Sequence, residues 1–387
     1  MRSVIFELLI TWYVFGATWN GTFRQAAGAR RQKPDIMNER IRKGNVHYRG
    51  FRGFGVAVLW NVRAVEYDAM RGRAVKRDYK GNVYKSNVYK SSVYKSSVYK
   101  GSVYKSKQSE AVMMELYDRQ LDALNLEYED LYVDTRFGKA HLVKFGKPDG
   151  KPLLIFHGGN NTTPYSLRYY ATLPYHFCSY AVDTVGHPGK SSQKVVSHKS
   201  LAYGEWASDV ITGLGYEKMN CMGASFGGGI LVKLMCAAPE KVEKSVLIVP
   251  SGLANVSTLN LLVTMGIPMM LYVFTKKDRW LEKAVAPMLG KERRIDGDTF
   301  EMVRHSFEHV AVKAGMPSNA KAGDLRNYTA PAFVIASEND CMFPGGKVIE
   351  KAEKMINNSK THLLKGQSHM FSLHDDVIDM VLHFLND

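Results

Sequence analysis

Ser225 lies in the run Gly223-Ala224-Ser225-Phe226-Gly227-Gly228-Gly229, with glycine two positions before it and two after. A serine on a sharp strand-to-helix turn has strained backbone angles and crowded flanks, and glycines at 223 and 227 relieve the crowding. Such a turn raises the hydroxyl above a sheet. It also sets the amide of Phe226 at a helix N-terminus, where it can donate to a developing oxyanion. The second donor is expected from a loop after an earlier strand. His157-Gly158-Gly159-Asn160 fills that place, with the amide of Gly159 as the candidate. His157 reads as a brace for this loop, since it precedes the nucleophile in the chain and lies on the oxyanion side.

A serine hydroxyl is a weak nucleophile until a base takes its proton. Of the 12 histidines, His369 follows a strand-like run at 360–366 and precedes the last helical stretch, so it is the expected base. His374 and His383, within that stretch, read as surface or packing residues. His305 and His309 are spaced i, i+4 and could share a metal, but no third ligand accompanies them. The imidazole needs a carboxylate to hold its tautomer and stabilise the imidazolium. Asp340, just past the run AFVIAS, is expected to supply it, with Glu338 as the alternative. Asp183 and His187, in VDTVGHPGKS, are expected to shape their own loop through backbone hydrogen bonds.

These residues need a scaffold that brings them together. Short apolar runs at 153–156, 178–183, 219–223, 245–250 and 332–337 alternate with helical stretches, which predicts a mostly parallel sheet covered by helices on both faces. A helix at 111–124 and a strand pair around 131–138 and 139–146 precede it. Parallel sheets carry their chemistry at the carboxyl ends of the strands, and each candidate follows such a run. The segment 251–330 is too long for one crossover helix and is expected to form an inserted helical cap. Its stretch 259–274 is strongly apolar, and Met265, Met269 and Met270 suit either an adaptable wall over the site or packing on the core. Gly266 and Pro268 interrupt that stretch and argue against a membrane span.

Taken together, HGGN, DTVGHPGKS, GASFGGG, ASENDCMFP and GQSHMF, in this order, resemble the α/β-hydrolase superfamily. The resemblance is closest to its bacterial carboxylesterase-like members with a D-x-x-G-x-P-G-x-S loop, and it covers residues 111–387. It implies a catalytic triad of Ser225, Asp340 and His369, an oxyanion hole from Gly159 and Phe226, and hydrolysis of a small to medium apolar ester through an acyl-enzyme, with no cofactor. The serine separates the chain from dehalogenases and epoxide hydrolases of this fold, which carry aspartate at the elbow. HGGNN also lacks the proline of the HGGPG loop of proline iminopeptidases. The same residues would serve hydrolysis of a carbon-carbon bond, an amide or a lactone, or acyltransfer. A reading from another class is a ligand-binding protein on a hydrolase scaffold, against which the complete set of three residues counts.

The formal net charge of +15 falls wholly within residues 1–110, so the basic balance says nothing about the substrate of the rest. Residues 4–17 are apolar but too short to span a bilayer comfortably, and Phe15 stands where a signal cleavage site wants a small residue. From Asp78 the chain repeats every five residues, placing Lys80, Lys85, Lys90, Lys95, Lys100 and Lys105 in step. Five matches neither the helical nor the strand period, so the leader 1–110 is expected to be a solvated, disordered tract. It could bind polyanions non-specifically, with no specific nucleic-acid partner expected. Cys178, Cys221, Cys236 and Cys341 show no metal spacing and are expected as free thiols. With the poor cleavage site, this points to the cytoplasm as the expected compartment.

Overall fold

The computed structural model describes residues 102–387, apart from 171, 291–293 and 312–314, together with three short strands nearer the N-terminus. Those strands, Glu66–Asp68, Arg73–Arg77 and Val83–Tyr84, pair antiparallel as a small sheet of their own. The expectations for the apolar stretch 4–17 and for most of the five-residue repeat lie outside the described residues.

The main body is built on eight strands: β1 Tyr128–Thr135, β2 Gly138–Gly146, β3 Pro152–Phe156, β4 Cys178–Val182, β5 Met219–Ala224, β6 Val242–Ile248, β7 Ala332–Ser337 and β8 Ser359–Leu364. Their order is β1-β2-β4-β3-β5-β6-β7-β8. β3 to β8 are mutually parallel, while β2 pairs antiparallel with both β1 and β4. β4 and β7 are buried along their whole length, which is why they read as unbroken apolar runs rather than alternating ones. After β3 the chain first steps to one side, to β4, and then returns to the other, to β5. The loops after β3 and β5 therefore flank one crevice at the carboxyl edge of the sheet, the place where ligands bind in such folds.

Ten helices follow or precede these strands in the described residues. They are α1 Lys107–Ala123, α2 Thr163–Leu167, α3 Ala202–Gly213, α4 Phe226–Ala237, α5 Thr258–Leu261, α6 Ile267–Thr275, α7 Asp278–Leu289, α8 Gly297–His309, α9 Gly345–Met355 and α10 Asp375–Asn386. A π-helical turn, Leu262–Gly266, joins α5 to α6. One face of the sheet is covered by α3, α4 and α9 through Tyr203, Trp206, Ile230, Leu234 and Val348. The other is covered by α1 and α10 through Tyr117, Leu121, Val377, Val381 and Leu385. Each such fully buried aliphatic or aromatic side chain contributes about 1.5–3 kcal/mol. The segment expected as a cap, 251–330, holds α5 to α8. Among the described residues no helix is long and apolar enough to cross a membrane.

α1 starts at Lys107, earlier than expected, because Ser106 caps it: the Ser106 hydroxyl accepts from the Ser109 amide at 3.0 Å. The ordered body reaches back further still, since Val103 and Tyr104 are 1% and 2% exposed.

A buried ion chain locks β1, β2, β4 and α1 together. Asp183, at the end of β4, is fully buried. Its Oδ1 accepts from Tyr117 (3.2 Å) and Thr163 (2.5 Å), and its Oδ2 from the Lys190 amide (2.7 Å) and His141 Nδ1 (2.9 Å). The other ring nitrogen of His141 donates to Asp130 at 2.7 Å, so the ring is an imidazolium between two carboxylates. Burial disfavours its charge, but the hydrogen bonds and charges of Asp130 and Asp183 outweigh burial and hold its pKa above the ordinary imidazole value. Burial would raise the carboxyl of Asp183, yet His141, Thr163 and the Lys190 amide hold it below the usual range. Removing one partner strands a buried charge, so Asp183→Asn should cost about 3–5 kcal/mol, measured as a lower urea midpoint. The raised pKa of His141 means its stabilisation is complete below about pH 6.5 and is lost as pH rises through the higher folded value. The stability gap between wild type and His141→Gln should therefore narrow as pH rises above about 6.5; a gap that widens would show that the ring is neutral.

Candidate active site

Ser225 takes the turn between β5 and α4 with φ 54° and ψ −114°, in the left-handed region that a non-glycine residue rarely occupies. Three backbone bonds hold it there: its amide donates to the Ile248 carbonyl at 2.9 Å, and its carbonyl accepts from the amides of Gly229 (3.1 Å) and Ser251 (3.0 Å). The flanking glycines are required by close approach. A Cβ on Gly223 would collide with the Gly227 backbone, and one on Gly227 with the carbonyl oxygens of Phe156 and His157. The latter contact presses the elbow against the end of β3, where the HGGN loop begins.

His369 lies at the hydroxyl. Its Nε2 accepts from Ser225 Oγ at 3.0 Å, and its Nδ1 donates to Asp340 Oδ2 at 2.8 Å. Both His369 and Asp340 are buried, at 7% and 5% exposure. The second oxygen of Asp340 accepts from the amides of Met342 (2.7 Å) and Phe343 (3.0 Å), which fixes the plane of the carboxylate. The Phe343 ring then packs edge-on against His369 with centroids 5.4 Å apart. Glu338, the alternative acid, does not reach His369. Its side chain accepts from the Gly366 amide at 2.8 Å, while backbone bonds from Glu338 to Leu364 and from Asn339 to Gln367 join the acid loop to the base loop.

On the opposite side of Ser225 the HGGN loop turns at Asn160, φ 54°. Gly159 lies against the Phe226 side chain, and the Phe226 amide, in the first turn of α4, has no acceptor within its own helix. His157 is fully buried; its Nε2 accepts from the Thr184 amide at 2.9 Å and its Nδ1 donates to the Gly158 carbonyl at 2.6 Å. Burial pushes its pKa down, so the ring is a neutral brace between the HGGN and Asp183 loops. His187 is buried too, its pKa pushed down to about 3 by burial and by the neighbouring His157. It packs on Phe226 at 4.5 Å and on Tyr203, so it shapes its loop by packing as well as by hydrogen bonding.

His305 and His309 turn their Nδ1 atoms to the Glu301 carbonyl and the Ser109 hydroxyl, and no cluster of three metal-ligating side chains occurs among the described residues. Met265, Met269 and Met270 are half-buried, while Leu259, Val263 and Phe274 on the same helical run are exposed. The four cysteines are free, Cys178 and Cys221 buried and the other two half-buried.

The sequence reading missed three ties between the inserted segment and these loops. Ser306 of α8 donates to the Asn160 carbonyl, Met370 donates through its amide to the Met288 carbonyl at the end of α7 (2.9 Å), and Val256 donates to the Met342 carbonyl (3.0 Å). No residue type advertises them, because two of the three are backbone contacts between distant parts of the chain.

Comparison with known proteins agrees with this architecture. A sequence model described as the alpha/beta hydrolase fold matches residues 151–292. The chain is 26% identical over 293 residues to the carboxylesterase YbfK of Bacillus subtilis, covering 70% of this chain and 92% of that protein. The crystal structure of carboxylesterase CesB (YbfK) from Bacillus subtilis superposes with a TM-score of 0.61 at 24% identity, over 72% of this chain and 98% of that one. That of naproxen esterase from the same organism does so at 0.59 and 20% identity, over 71% and 97%. The chain thus has the α/β-hydrolase fold and is similar to bacterial carboxylesterases.

Proposed function

We propose that this protein hydrolyses carboxylic esters through an acyl-enzyme on Ser225. The observation that carries the reading is the unbroken hydrogen-bond chain from the Ser225 hydroxyl through His369 to Asp340, mounted on a left-handed elbow. Ser225 Oγ attacks the ester carbonyl as His369 Nε2 takes its proton, and Asp340 stabilises the resulting imidazolium. The amides of Gly159 and Phe226 receive the negative charge that develops on the carbonyl oxygen, aided by the positive end of the α4 dipole. His369 returns the proton to the leaving alcohol. It then deprotonates a water, which attacks the acyl-serine and releases the acid, so atoms and protons balance over the cycle. No step calls for a cofactor. The likeness to carboxylesterases supports an ester over the other bonds this triad could cleave. The strongly apolar composition of 259–274, with its methionines, is the basis for reading a small to medium apolar group, since an unbranched thioether side chain adapts to varied apolar shapes.

The domain division proposed alongside this is a hydrolase domain at about 111–387 with a cap at about 251–330 and a basic leader before it. Ser225→Ala should lower kcat by about 10⁴–10⁶-fold on p-nitrophenyl esters and abolish labelling by a fluorophosphonate probe while the fold persists by circular dichroism. Retained labelling would remove Ser225 from the reaction. Asp340→Asn keeps the shape of the side chain but favours the wrong imidazole tautomer, so kcat should fall about 10⁴-fold. Ser306→Ala frees Asn160 in the oxyanion loop without touching the triad. It should lower kcat roughly tenfold with little change in KM, and an effect on KM alone would place Ser306 in substrate binding instead.

A further inference from the structure

The five-residue repeat has no part in the ester chemistry, yet its last unit, residues 102–105, is built into the folded body. Val103 and Tyr104 are buried with Met113, Leu116, Tyr165, Met302 and Val310 in a small cluster of their own. The backbone of the unit lies antiparallel to the segment leaving α8. Tyr104 bridges Val310, the Lys105 amide donates to the His309 carbonyl at 2.9 Å, and the Val103 carbonyl accepts from the Ala311 amide at 2.7 Å. Each side chain has its own polar fixture. The Tyr104 hydroxyl accepts from the Gly189 amide (3.0 Å) and lies 3.3 Å from the Gly189 carbonyl, the Lys105 ammonium donates to the Phe307 carbonyl (2.5 Å), and the Ser102 hydroxyl donates to Gln193. Antiparallel backbone pairing, a buried anchor and side-chain fixtures together are the means by which an extended peptide is recognised.

The seat thus reads Ser-Val-Tyr-Lys, and the chain presents that tetrapeptide three times, at 92–95, 97–100 and 102–105, with Asn in place of Ser at 82–85 and 87–90. Every group that makes a contact in the seat is repeated in the two preceding units. We propose that this cleft, formed by 309–311, Gly189 and Gln193, is a recognition site for Val-Tyr-Lys units that accepts the earlier units as well as the one at 102–105. Shifting the register by one unit leaves residues 101–106 to bridge to α1, a short surface loop whose closure cost rises only slowly with length. Ser106 still caps α1 in that register. The length of chain before the seated unit would then change in steps of five residues, and a unit from a second copy of the chain could occupy the same seat and join two molecules.

The test is amide hydrogen exchange on the full-length protein, read at Gly189 and Ala311, whose N–H groups are tied to the seated unit. The variants are Tyr104→Ala alone and Tyr84, Tyr89, Tyr94, Tyr99 and Tyr104 all replaced by Ala. With Tyr104→Ala alone an earlier unit should take the seat and exchange at both amides should stay within about threefold of wild type. In the fivefold variant exchange should speed up by about tenfold or more and slow again when the peptide Gly-Ser-Val-Tyr-Lys-Ser is added. Protection in Tyr104→Ala that is unchanged on dilution assigns the new occupant to the same chain, and protection lost on dilution assigns it to a second copy. Exchange in Tyr104→Ala as fast as in the fivefold variant would overturn the proposal, since only residues 102–105 would then fit. Should the fivefold variant fail to fold, deprotection of Gly189 and Ala311 in folded Tyr104→Ala would overturn it equally.

Discussion

The left-handed backbone of Ser225 is the constraint around which the crevice is arranged. A non-glycine residue at φ 54° costs on the order of 1–3 kcal/mol, and it persists only where its surroundings over-determine it. Here those surroundings are β6, whose Ile248 carbonyl and following Ser251 amide hold the turn, and the end of β3, against which Gly227 is pressed. The elbow is therefore tied to the neighbouring strand on either side of β5. The other residues of the crevice have to be delivered to that point.

His369 and Asp340 are delivered as one unit. They are carried on separate loops after β8 and β7, and the hydrogen bonds of Glu338 and Asn339 join those loops beside the His369–Asp340 pair. With the Asp340 carboxylate oriented by two backbone amides, the imidazole has its Nδ1 hydrogen on the acid side and its free lone pair on the serine side. Little orientational freedom remains to be lost when a substrate arrives.

The inserted segment holds these loops in place from outside. α8 grips the HGGN loop through Ser306, the end of α7 grips the base loop through Met370, and Val256 grips the acid loop at Met342. The far end of α8 in turn runs into the segment 309–311 that pairs with the last repeat unit. A single helix thus connects the HGGN loop to residues 102–105. On the other flank the Asp130–His141–Asp183 chain anchors the loop that carries Gly189, so the seat and the HGGN brace share one support.

The sequence by itself determined the scaffold. Short apolar runs alternating with helical stretches pointed to buried strands of a covered, mostly parallel sheet. In such a sheet the residues just past the strands converge, so Ser225, His369 and Asp340 were legible from type and position alone. Asp340 was expected beside His369 ahead of Glu338, and in the structure Asp340 is the carboxylate that meets it while Glu338 accepts from the Gly366 amide. What only the tertiary structure decided were contacts between segments far apart in the chain. His141 reads as one more residue of an alternating strand, and nothing local predicts that Asp130 and Asp183 will close on it and charge it. Ser306 looks like any helix serine until α8 is laid across Asn160. The last repeat unit matches its predecessors in Val-Tyr-Lys, and only the backbone of 309–311 and the amide of Gly189 make it a folded element. Local pattern determines which surfaces must be buried, whereas hydrogen bonds and charges are settled by which partner arrives, and that is a property of the assembled chain.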